Sequence, residues 1–259
     1  MSIATDEAAA SYASFAPFYD RFTADHDYEA WTGHLEAAAI AHGLAGKRLL
    51  DVACGTGKSF IPFLGRGYEV TACDISGEML VEARGKAPEA TLERWDMREL
   101  PTLGRFDLVT CLDDSLNYLL EVDELEAALR GLARNLAPGG VCLFDLNTLP
   151  AYRKDFASDE VSTVDGVVFL WHGEADPDLA PGSVAQASIE VFEPSSEPLY
   201  RRTTTRHVQR HYSPETVFAV LREIGLDCVG DYAQVLDGSL DVGGEEEATH
   251  KSVYVVRHC

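Results

Sequence analysis

The sequence contains few basic residues and no long hydrophobic run. Lysine and arginine together number 21 in 259 residues, against 43 aspartates and glutamates, so the formal net charge is −22. Nucleic-acid binding depends on a positively charged surface, and this balance argues against a DNA or RNA substrate. No apolar stretch approaches the roughly 20 residues that a membrane-spanning helix needs. We therefore expect neither a nucleic-acid partner nor a membrane partner.

Closely spaced cysteines are also missing. The six cysteines are scattered without a Cys-x-x-Cys pair, and four of them lie in or just after apolar segments. This usage predicts reduced core cysteines. His26, His34 and His42 are eight residues apart, which is not a zinc-ligand spacing, so we expect no metal site. The first residues lack a charged-then-apolar signal pattern, and we expect a cytoplasmic protein.

A glycine turn after an apolar strand is the most informative local feature. Residues 49–52 form the strand, and Gly55 and Gly57 lie in the turn that follows. Glycine lets the backbone approach a ligand closely and reaches positive φ without steric cost. Seventeen residues after Gly57, Asp74 ends a second apolar run, where a carboxylate could accept both hydroxyls of a ribose. The two features together predict a site for an adenosine ligand.

The same turn discriminates between adenosine cofactors. A dinucleotide fingerprint has a third glycine where this chain has Phe60, and a P-loop has a glycine where it has Val52. Asp51 lies inside the turn, where a carboxylate repels a pyrophosphate but attracts an α-ammonium group. S-adenosylmethionine carries such a group, so the pattern favours it over NAD and ATP.

The motif Asp51-x-Ala53-x-Gly55-x-Gly57 resembles the first motif of the class I S-adenosylmethionine-dependent methyltransferases. Four later segments are similar to landmarks of that family and follow in the family's order. They cover residues 74–80, 95–97, 106–112 and 136–145. The opening segment is similar to the N-terminal arm of glycine N-methyltransferase and of sugar amine dimethyltransferases.

The resemblance implies a set of cofactor contacts. The acid that closes the second strand would bind the ribose, Asp96 would accept from the adenine amino group, and aromatic residues of the arm would fold over the cofactor. For Tyr12, Tyr19 and Trp31 the alternative is an amphipathic helix that uses its aromatics as core. The cofactor-binding residues expected from the resemblance are Tyr12, Tyr19, Trp31, Asp51, Ala53, Gly55, Gly57, Asp74, Ile75, Met79, Asp96, Met97 and Leu112.

The pattern of apolar segments predicts the fold. Apolar strands alternate with helical segments as far as about Asn147, which is typical of a parallel sheet covered on both faces. Two helices precede the sheet, in an arm over residues 11–43. The later helices are predicted over residues 59–66, 76–86, 121–136 and 214–223. The resemblance implies a Rossmann-like, doubly wound α/β domain over residues 1–259, with a mostly parallel seven-stranded sheet.

Residues 161–209 differ from the rest, because β-branched and polar residues alternate there. This predicts an antiparallel β insertion after the fifth strand. It should rise from the carboxyl ends of the strands, where open α/β sheets bind ligands, and roof the acceptor site. Two closing strands, over residues 226–235 and 251–257, flank a polar loop over residues 237–249. The resemblance implies that they pair as an antiparallel hairpin.

Candidate catalytic residues follow the fourth strand and end the insertion. Asp113 and Asp114 could bind or deprotonate a cationic amine, and the alternative is a helix N-terminus that Asp114 or Ser115 merely caps. His207 is a candidate base because histidine titrates near neutral pH, although a strand histidine bonded to a neighbour is the commoner case. The expected catalytic residues are Asp113, Asn117 and His207.

These observations predict a methyltransferase that passes the methyl group to a small-molecule acceptor, above all an amine nitrogen, and releases S-adenosylhomocysteine. Two alternatives stay open: an O-methyltransferase acting on a phenol or carboxylate, and a non-catalytic S-adenosylmethionine-binding module. A third, an NAD-dependent oxidoreductase, is disfavoured by Phe60. We expect a monomer or a homodimer.

Overall fold

The computed structural model describes residues 3–196, 198–235, 237–243, 247 and 249–259. The predicted polar loop over residues 237–249 therefore falls partly outside the described residues. Within the described ranges, no helix combines the length and the apolar character that crossing a membrane requires.

The parallel strands and the helices alternate as the sequence predicts. The strands of this part are β1 (Arg48–Val52), β2 (Glu69–Asp74), β3 (Thr91–Arg94), β4 (Phe106–Cys111) and β5 (Leu136–Asn147). The helices are α1 (Ile3–Phe22), α2 (Tyr28–Ala41), α3 (Ile61–Gly65), α4 (Gly77–Lys86), α5 (Val122–Asn135), α6 (Leu149–Lys154) and α7 (Pro214–Glu223). The sequence analysis missed α6, a helix of 6 residues.

The remaining strands are antiparallel to their neighbours. They are β6 (Asp159–Val164), β7 (Val167–Gly173), β8 (Val184–Pro194), β9 (Tyr200–Arg210), β10 (Leu226–Gln234), β11 (Leu240–Val242) and β12 (Lys251–His258). The strands β6 to β9 form a separate sheet in that order, so the predicted insertion begins at Asp159 rather than at residue 161. The closing strands β10 and β12 pair antiparallel, as the resemblance implies.

The main sheet has the strand order β11-β10-β12-β5-β4-β1-β2-β3. It contains eight strands rather than seven because the short β11 adds an edge beside β10. From β3 to β5 the strands are parallel. The chain leaves β1 toward β2 on one side and later returns to β4 on the other, and ligands bind at such a reversal, outside the carboxyl ends of the strands.

Alternation along the strands buries both faces of the main sheet. Leu50 of β1 and Val109 of β4 pack with α5, whereas Leu49 and Leu108 pack on the opposite face with α2. Each of these side chains is 0% exposed. Burying a side chain of this size contributes about 1.5–3 kcal/mol, so the two clusters hold the carboxyl ends of β1 and β4 in fixed positions.

The first helix joins the two sheets. Its aromatic residues Phe15 and Phe18 pack in one cluster with Phe169 of β7 and Val191 of β8. The hydroxyl of Ser11 also donates to the carbonyl of Arg206 on β9, over 2.9 Å. Apolar packing and hydrogen bonding therefore fix α1 against the antiparallel sheet, and its other side turns toward the ends of the parallel strands.

Candidate active site

The glycine turn after β1 contains two glycines with different functions. Gly55 has φ +54°, and a Cβ placed on it would meet no atom within 4 Å. Gly57 has φ +90°, and a Cβ there would lie 2.9 Å from the ring of Phe60. Gly55 therefore opens onto empty space at the edge of the sheet, whereas Gly57 lets Phe60 pack against the turn. Phe60 stands where a dinucleotide fingerprint has its third glycine. Because its ring packs against the turn, position 57 must be a glycine.

Asp74 at the end of β2 supports this turn. One carboxylate oxygen accepts from the backbone N–H of Gly55 and the other from that of Ser76, each over 2.8 Å. Burial raises the pKa of Asp74, and the two backbone donors oppose that rise. The carboxylate is 8% exposed and faces a cleft beside the turn.

This main cleft has a volume of about 950 Å³, including its open mouth. It lies at the carboxyl ends of β1, β2 and β4, and α1 covers it. Most of the residues predicted to bind the cofactor or act in catalysis line it. They are Tyr12, Tyr19, Ala53, Gly55, Asp74, Ile75, Met79, Asp96, Met97, Leu112 and Asp113.

Trp31, Gly57 and Asp51 do not reach the cleft wall. Trp31 is 1% exposed in the core, and its indole N–H donates to the side-chain oxygen of Gln234 over 2.8 Å. The carboxylate of Asp51 is buried behind the turn, where its oxygens accept from Ser59 and Thr110 over 2.6 Å each. Burial raises the pKa of Asp51 to about 6. Asp51 therefore connects β1 to Thr110 of β4 and to Ser59 after the turn by hydrogen bonds.

Asn117 and His207 are also buried away from the main cleft. The amide of Asn117 donates to the carbonyl of Arg210 and accepts from the backbone N–H of Asn147, so it joins three segments. His207 on β9 is 3% exposed. Burial lowers the pKa of its imidazole to about 4, which leaves the ring neutral near pH 7.

His207 ends a chain of hydroxyl groups that begins in the cleft. The hydroxyl of Tyr12 donates to that of Tyr118 over 2.8 Å, and the hydroxyl of Tyr118 lies 2.8 Å from Nδ1 of His207. Nε2 of His207 lies 3.0 Å from the hydroxyl of Thr205. Burial raises the pKa of Tyr118, so its hydroxyl stays protonated, and the tautomer of His207 sets the direction of the hydrogen bond between that hydroxyl and Nδ1. This chain fixes the direction of the Tyr118 hydroxyl at the cleft wall.

The strongest electrostatic feature is a lysine surrounded by carboxylates. Nζ of Lys251, at the start of β12, lies 2.8 Å from Asp145, 3.0 Å from Asp114 and 3.3 Å from Asp113. Burial lowers the pKa of Lys251, but the three carboxylates outweigh it and raise that pKa well above its usual value. The lysine is therefore a permanent cation beneath the cleft.

Asp113 stays ionised in this setting. Burial raises its pKa, but the charge of Lys251 and the hydroxyl of Tyr28 outweigh that effect, and the net pKa is lowered. One oxygen accepts from the hydroxyls of Tyr28 and Tyr19, over 2.7 and 3.1 Å. The other faces Lys251. The cluster thus holds a fixed negative charge at the end of β4.

The backbone at this point is in a conformation that non-glycine residues rarely adopt. Asp113 has φ +63° and Asp114 has φ +52°. Asp114 precedes a single 3₁₀ turn, Ser115–Tyr118, but its side chain makes no capping hydrogen bond and instead accepts from Gln209. The capping alternative for Asp114 is therefore wrong. Strain of this kind is concentrated at functional sites, where surrounding contacts hold it in place.

A second cavity adjoins the main cleft. We call it the aromatic cavity, because its walls include Phe22, Tyr28, Phe156, Phe169 and Trp171. It has a volume of about 1290 Å³, including open solvent, and lies between α1, the start of α2 and the strands β6 and β7. Tyr28 and Asp113 line both cavities. Tyr28 and Asp113 therefore belong to a wall that the two spaces share.

Sequence reasoning missed Tyr28 and Lys251. Tyr28 stands in the same arm as the predicted aromatics, three positions before Trp31. It differs from Trp31 only in the direction in which its side chain leaves α2. Lys251 is a charged residue at the start of a strand whose next five residues are all buried. A lysine in such a place is a signal for a buried carboxylate partner.

Comparisons with known proteins agree with this geometry. The family model described as a methyltransferase domain matches residues 49–140. YqeM of Bacillus subtilis (strain 168), named as a methyltransferase, is 35% identical over 220 residues, covering 83% of this chain and 85% of that protein. A dTDP-3-amino-3,6-dideoxy-alpha-D-glucopyranose N,N-dimethyltransferase from Streptomyces fradiae is 35% identical over 131 residues, covering 49% of this chain and 51% of that protein.

A solved structure shows the same fold. The S-adenosylmethionine-dependent methyltransferase from Clostridium acetobutylicum ATCC 824 superposes with a TM-score of 0.79 at 26% identity, over 95% of this chain and 98% of that one. The α/β fold and the turn-and-acid site therefore define an S-adenosylmethionine-dependent enzyme. The chain belongs to the class I methyltransferases of the small-molecule type.

The residues of the main cleft fit this cofactor. Beside Gly55 there is open space where any other residue would place a Cβ. Asp74 presents a buried carboxylate to that space, and the apolar side chains of Ile75 and Met79 lie in the same wall with the acid Asp96. A carboxylate beside apolar surface suits an adenosine, which presents ribose hydroxyls and a flat ring.

Proposed function

We propose that this methyltransferase acts on the amine nitrogen of a small molecule that reaches the site through the aromatic cavity. The observation that carries the proposal is the position of Asp113. Its carboxylate is held ionised and lines both the main cleft and the aromatic cavity. A fixed negative charge at this junction attracts a cationic or polar N–H group and places it beside the cleft.

The amine-acting relative supports the same assignment. The Streptomyces fradiae protein is named as an N,N-dimethyltransferase. In this chain, the residues that would hold S-adenosylmethionine are those of the main cleft, with Asp74 on the ribose and Ile75 and Met79 beside the adenine. When bound, S-adenosylmethionine supplies a methyl group on a sulfonium that a nucleophile takes by in-line displacement.

The task of the protein is to align the nucleophile, and positioning of this kind supplies much of the rate acceleration. Asp113 accepts an N–H of the amine while Tyr19 and Tyr28 fix the direction of its carboxylate. Tyr118 offers a second oxygen in the cleft wall, and Nδ1 of His207 orients its hydroxyl. His207 is a positioning residue in this scheme.

No strong base is needed for an amine that has lost its extra proton to water. The low pKa of Asp113 makes it a weak proton acceptor, and the pKa of about 4 makes buried His207 a weak one too. A phenol acceptor benefits from a nearby base of near-neutral pKa. The side chains at the junction therefore favour N-methylation over O-methylation.

The proposal is tested with labelled S-adenosylmethionine and a panel of amines, phenols and carboxylates, using the wild type and Asp113→Asn. Asparagine keeps the size of the side chain but removes its charge. A hydrogen bond to a charged group contributes about 1.5–3 kcal/mol, so kcat/KM for the amine should fall about 10- to 100-fold. Glu223→Gln, on the exposed end of α7, is the control and should leave kcat/KM within twofold. Transfer only to phenols or carboxylates would contradict the proposal.

A further inference from the structure

We propose that the acceptor is an amine attached to an aromatic ring system without a phosphate group, and that the aromatic cavity binds the ring. This inference rests on the proposed amine acceptor. It names the substrate class of the same site from two observations. The cavity has aromatic walls, and the described residues that line it include no lysine or arginine.

The aromatic side chains of the cavity wall are held in place by their neighbours, since Phe169 and Phe156 are 1% and 5% exposed while Phe22 and Trp171 are half-buried. Phe22 and Phe169 lie with ring centroids 5.6 Å apart, and Phe156 meets Trp171 edge to face at 5.1 Å. The indole N–H of Trp171 donates to the carbonyl of Asp155 over 2.8 Å. Rigid aromatic walls favour a flat apolar ligand, because offset and edge-to-face ring pairs add about 0.5–1.5 kcal/mol to the burial of their area.

The charged side chains of the cavity have one sign. Asp25, Asp155 and Glu160 line it together with Asp113, and none of the described residues in its wall is a lysine or arginine. Phosphate groups are bound by arginine, lysine or the N–H groups of a helix N-terminus. The helix that starts at this cavity, α2, already has its N-terminus capped by the carboxylate of Asp27, which accepts from Ala30. Two lysines contact the wall from behind, Lys58 at Thr23 and Lys251 at Asp113, but the carboxylates outnumber them. The cavity therefore disfavours phosphate and attracts an ammonium group.

One histidine, His26, also lines the cavity. Nε2 of His26 is buried and has no hydrogen-bond partner among the described residues. Burial lowers the pKa of His26, so the ring is neutral near pH 7. His26 therefore adds no positive charge to the wall of the cavity near pH 7.

The substrate class inferred for this chain differs from that of the Streptomyces fradiae relative. That protein is named for an amino sugar linked to dTDP, which carries a diphosphate. A diphosphate in the aromatic cavity of this chain would lie among four carboxylates, within a protein of net charge −22. We therefore infer that this chain shares the amine acceptor with that relative but does not bind a dTDP-linked substrate.

The test compares acceptors that differ in one group. Tyramine and O-phosphotyramine share the ring and the amine, and p-cresol keeps the ring without the amine. A free amino sugar and its dTDP-linked form provide a second pair. We expect kcat/KM for tyramine to exceed that for O-phosphotyramine at least tenfold, and the free sugar to be methylated more slowly than tyramine. Equal or faster turnover of the phosphorylated amines overturns this inference and leaves N-methylation standing.

Two further outcomes separate the inference from the proposed function. If only p-cresol is methylated, the proposed amine acceptor is wrong and the inference falls with it. If the free amino sugar is methylated and tyramine is not, nitrogen is the acceptor but the aromatic class is wrong. A panel with no turnover at all counts against both.

A charge reversal at the cavity mouth gives a second measurement. Glu160 is an exposed residue of β6 that lines the cavity, and Glu160→Lys should raise the KM for tyramine about three- to tenfold at low ionic strength. The same variant should improve the relative kcat/KM for O-phosphotyramine. Glu223→Lys makes the same change of charge on α7 and should leave both values within twofold. Equal effects of the two variants would show that only the net charge matters.

Discussion

The main cleft and the aromatic cavity share a wall but are built in different ways. One wall of the main cleft is formed by residues close together in sequence, since the turn after β1 and the acid that ends β2 lie within 20 residues of Gly55. The aromatic cavity combines Phe22 and Tyr28 with Phe156 and Trp171, which are more than 120 residues away. Local geometry specifies the first, whereas the packing of α1 against the antiparallel sheet specifies the second.

The difference between the two regions shows which part of an enzyme a short motif can describe. A ligand common to a whole family binds where backbone geometry is fixed by glycine and a strand end. The ligand that differs between members binds among side chains that distant segments bring together. In this chain, Asp113 belongs to both regions, and its ion pair with Lys251 connects β4 to the last strand.

The largest expected effect tests the main cleft alone. Asp74→Asn removes the charge that faces the proposed ribose position and one of the acceptors for Gly55 and Ser76. The affinity for S-adenosylhomocysteine, measured by calorimetry, should fall about 100-fold, because bonds to a charged group contribute about 1.5–3 kcal/mol. Glu69→Gln at the exposed opposite end of β2 should bind it normally. Unchanged affinity in Asp74→Asn would contradict the proposed position of the cofactor beside Asp74.

The next effect concerns His207, which contacts Tyr118 of the main cleft wall, and it depends on pH. The folded pKa of His207 is about 4, below the unfolded value of about 6.5, so only the unfolded chain takes up a proton between these values. Stability contributed by the neutral ring is therefore lost as pH falls from about 6.5 to 4. Relative to His207→Asn, the wild type should lose about 2 kcal/mol between pH 7 and pH 5.

Urea unfolding at several pH values measures that difference. Asp51 and Asp145, whose pKa values burial raises to about 6, are present in both proteins and cancel in the comparison. His34→Asn, at an exposed position of α2, should follow the wild type. A gap between wild type and His207→Asn that stays constant with pH would mean that the imidazole is not buried as a neutral group.

The smallest expected effect comes from alanine substitutions at two glycines, which distinguish backbone strain from steric overlap with the ligand. Gly55 and Gly67 both have positive φ, and a Cβ at either would meet no atom within 4 Å. Alanine at each position should cost about 1 kcal/mol of folding free energy because of the left-handed backbone. Only Gly55→Ala should also weaken S-adenosylhomocysteine binding, about tenfold, since its methyl group enters the main cleft. If Gly55→Ala and Gly67→Ala weaken binding equally, the cause is backbone strain and not a methyl group in the cofactor space.

Most of the predicted site residues line the main cleft, and the sequence signals that pointed to them are local. The glycine turn, the acid at the end of β2 and the serine caps of α4 and α7 each act within a few residues. Trp31 shows the limit of that reasoning. It shares α2 with Tyr28, yet its indole turns toward Gln234 of β10 while the hydroxyl of Tyr28 reaches Asp113. The direction of a helical side chain depends on how the helix docks, which composition does not reveal.

The sequence predicts a catalytic role for the acid-rich segment after β4, but it does not reveal the lysine that pairs with it. Lys251 lies 138 residues from Asp113 in sequence and meets it because β12 pairs with β5. The sequence predicts His207 as well, but burial changes its expected chemistry from a base to an orienting partner. Burial and long-range pairing are tertiary properties, so these parts of the site required the structure.

The most direct test of the account uses tyramine, which presents an amine and a phenol in one molecule. The enzyme is supplied with labelled S-adenosylmethionine and tyramine, and the position of the transferred methyl group is determined by tandem mass spectrometry. The account predicts a label on nitrogen, because the ionised carboxylate at the junction of the two cavities orients an N–H group. A label on the phenol oxygen would contradict it.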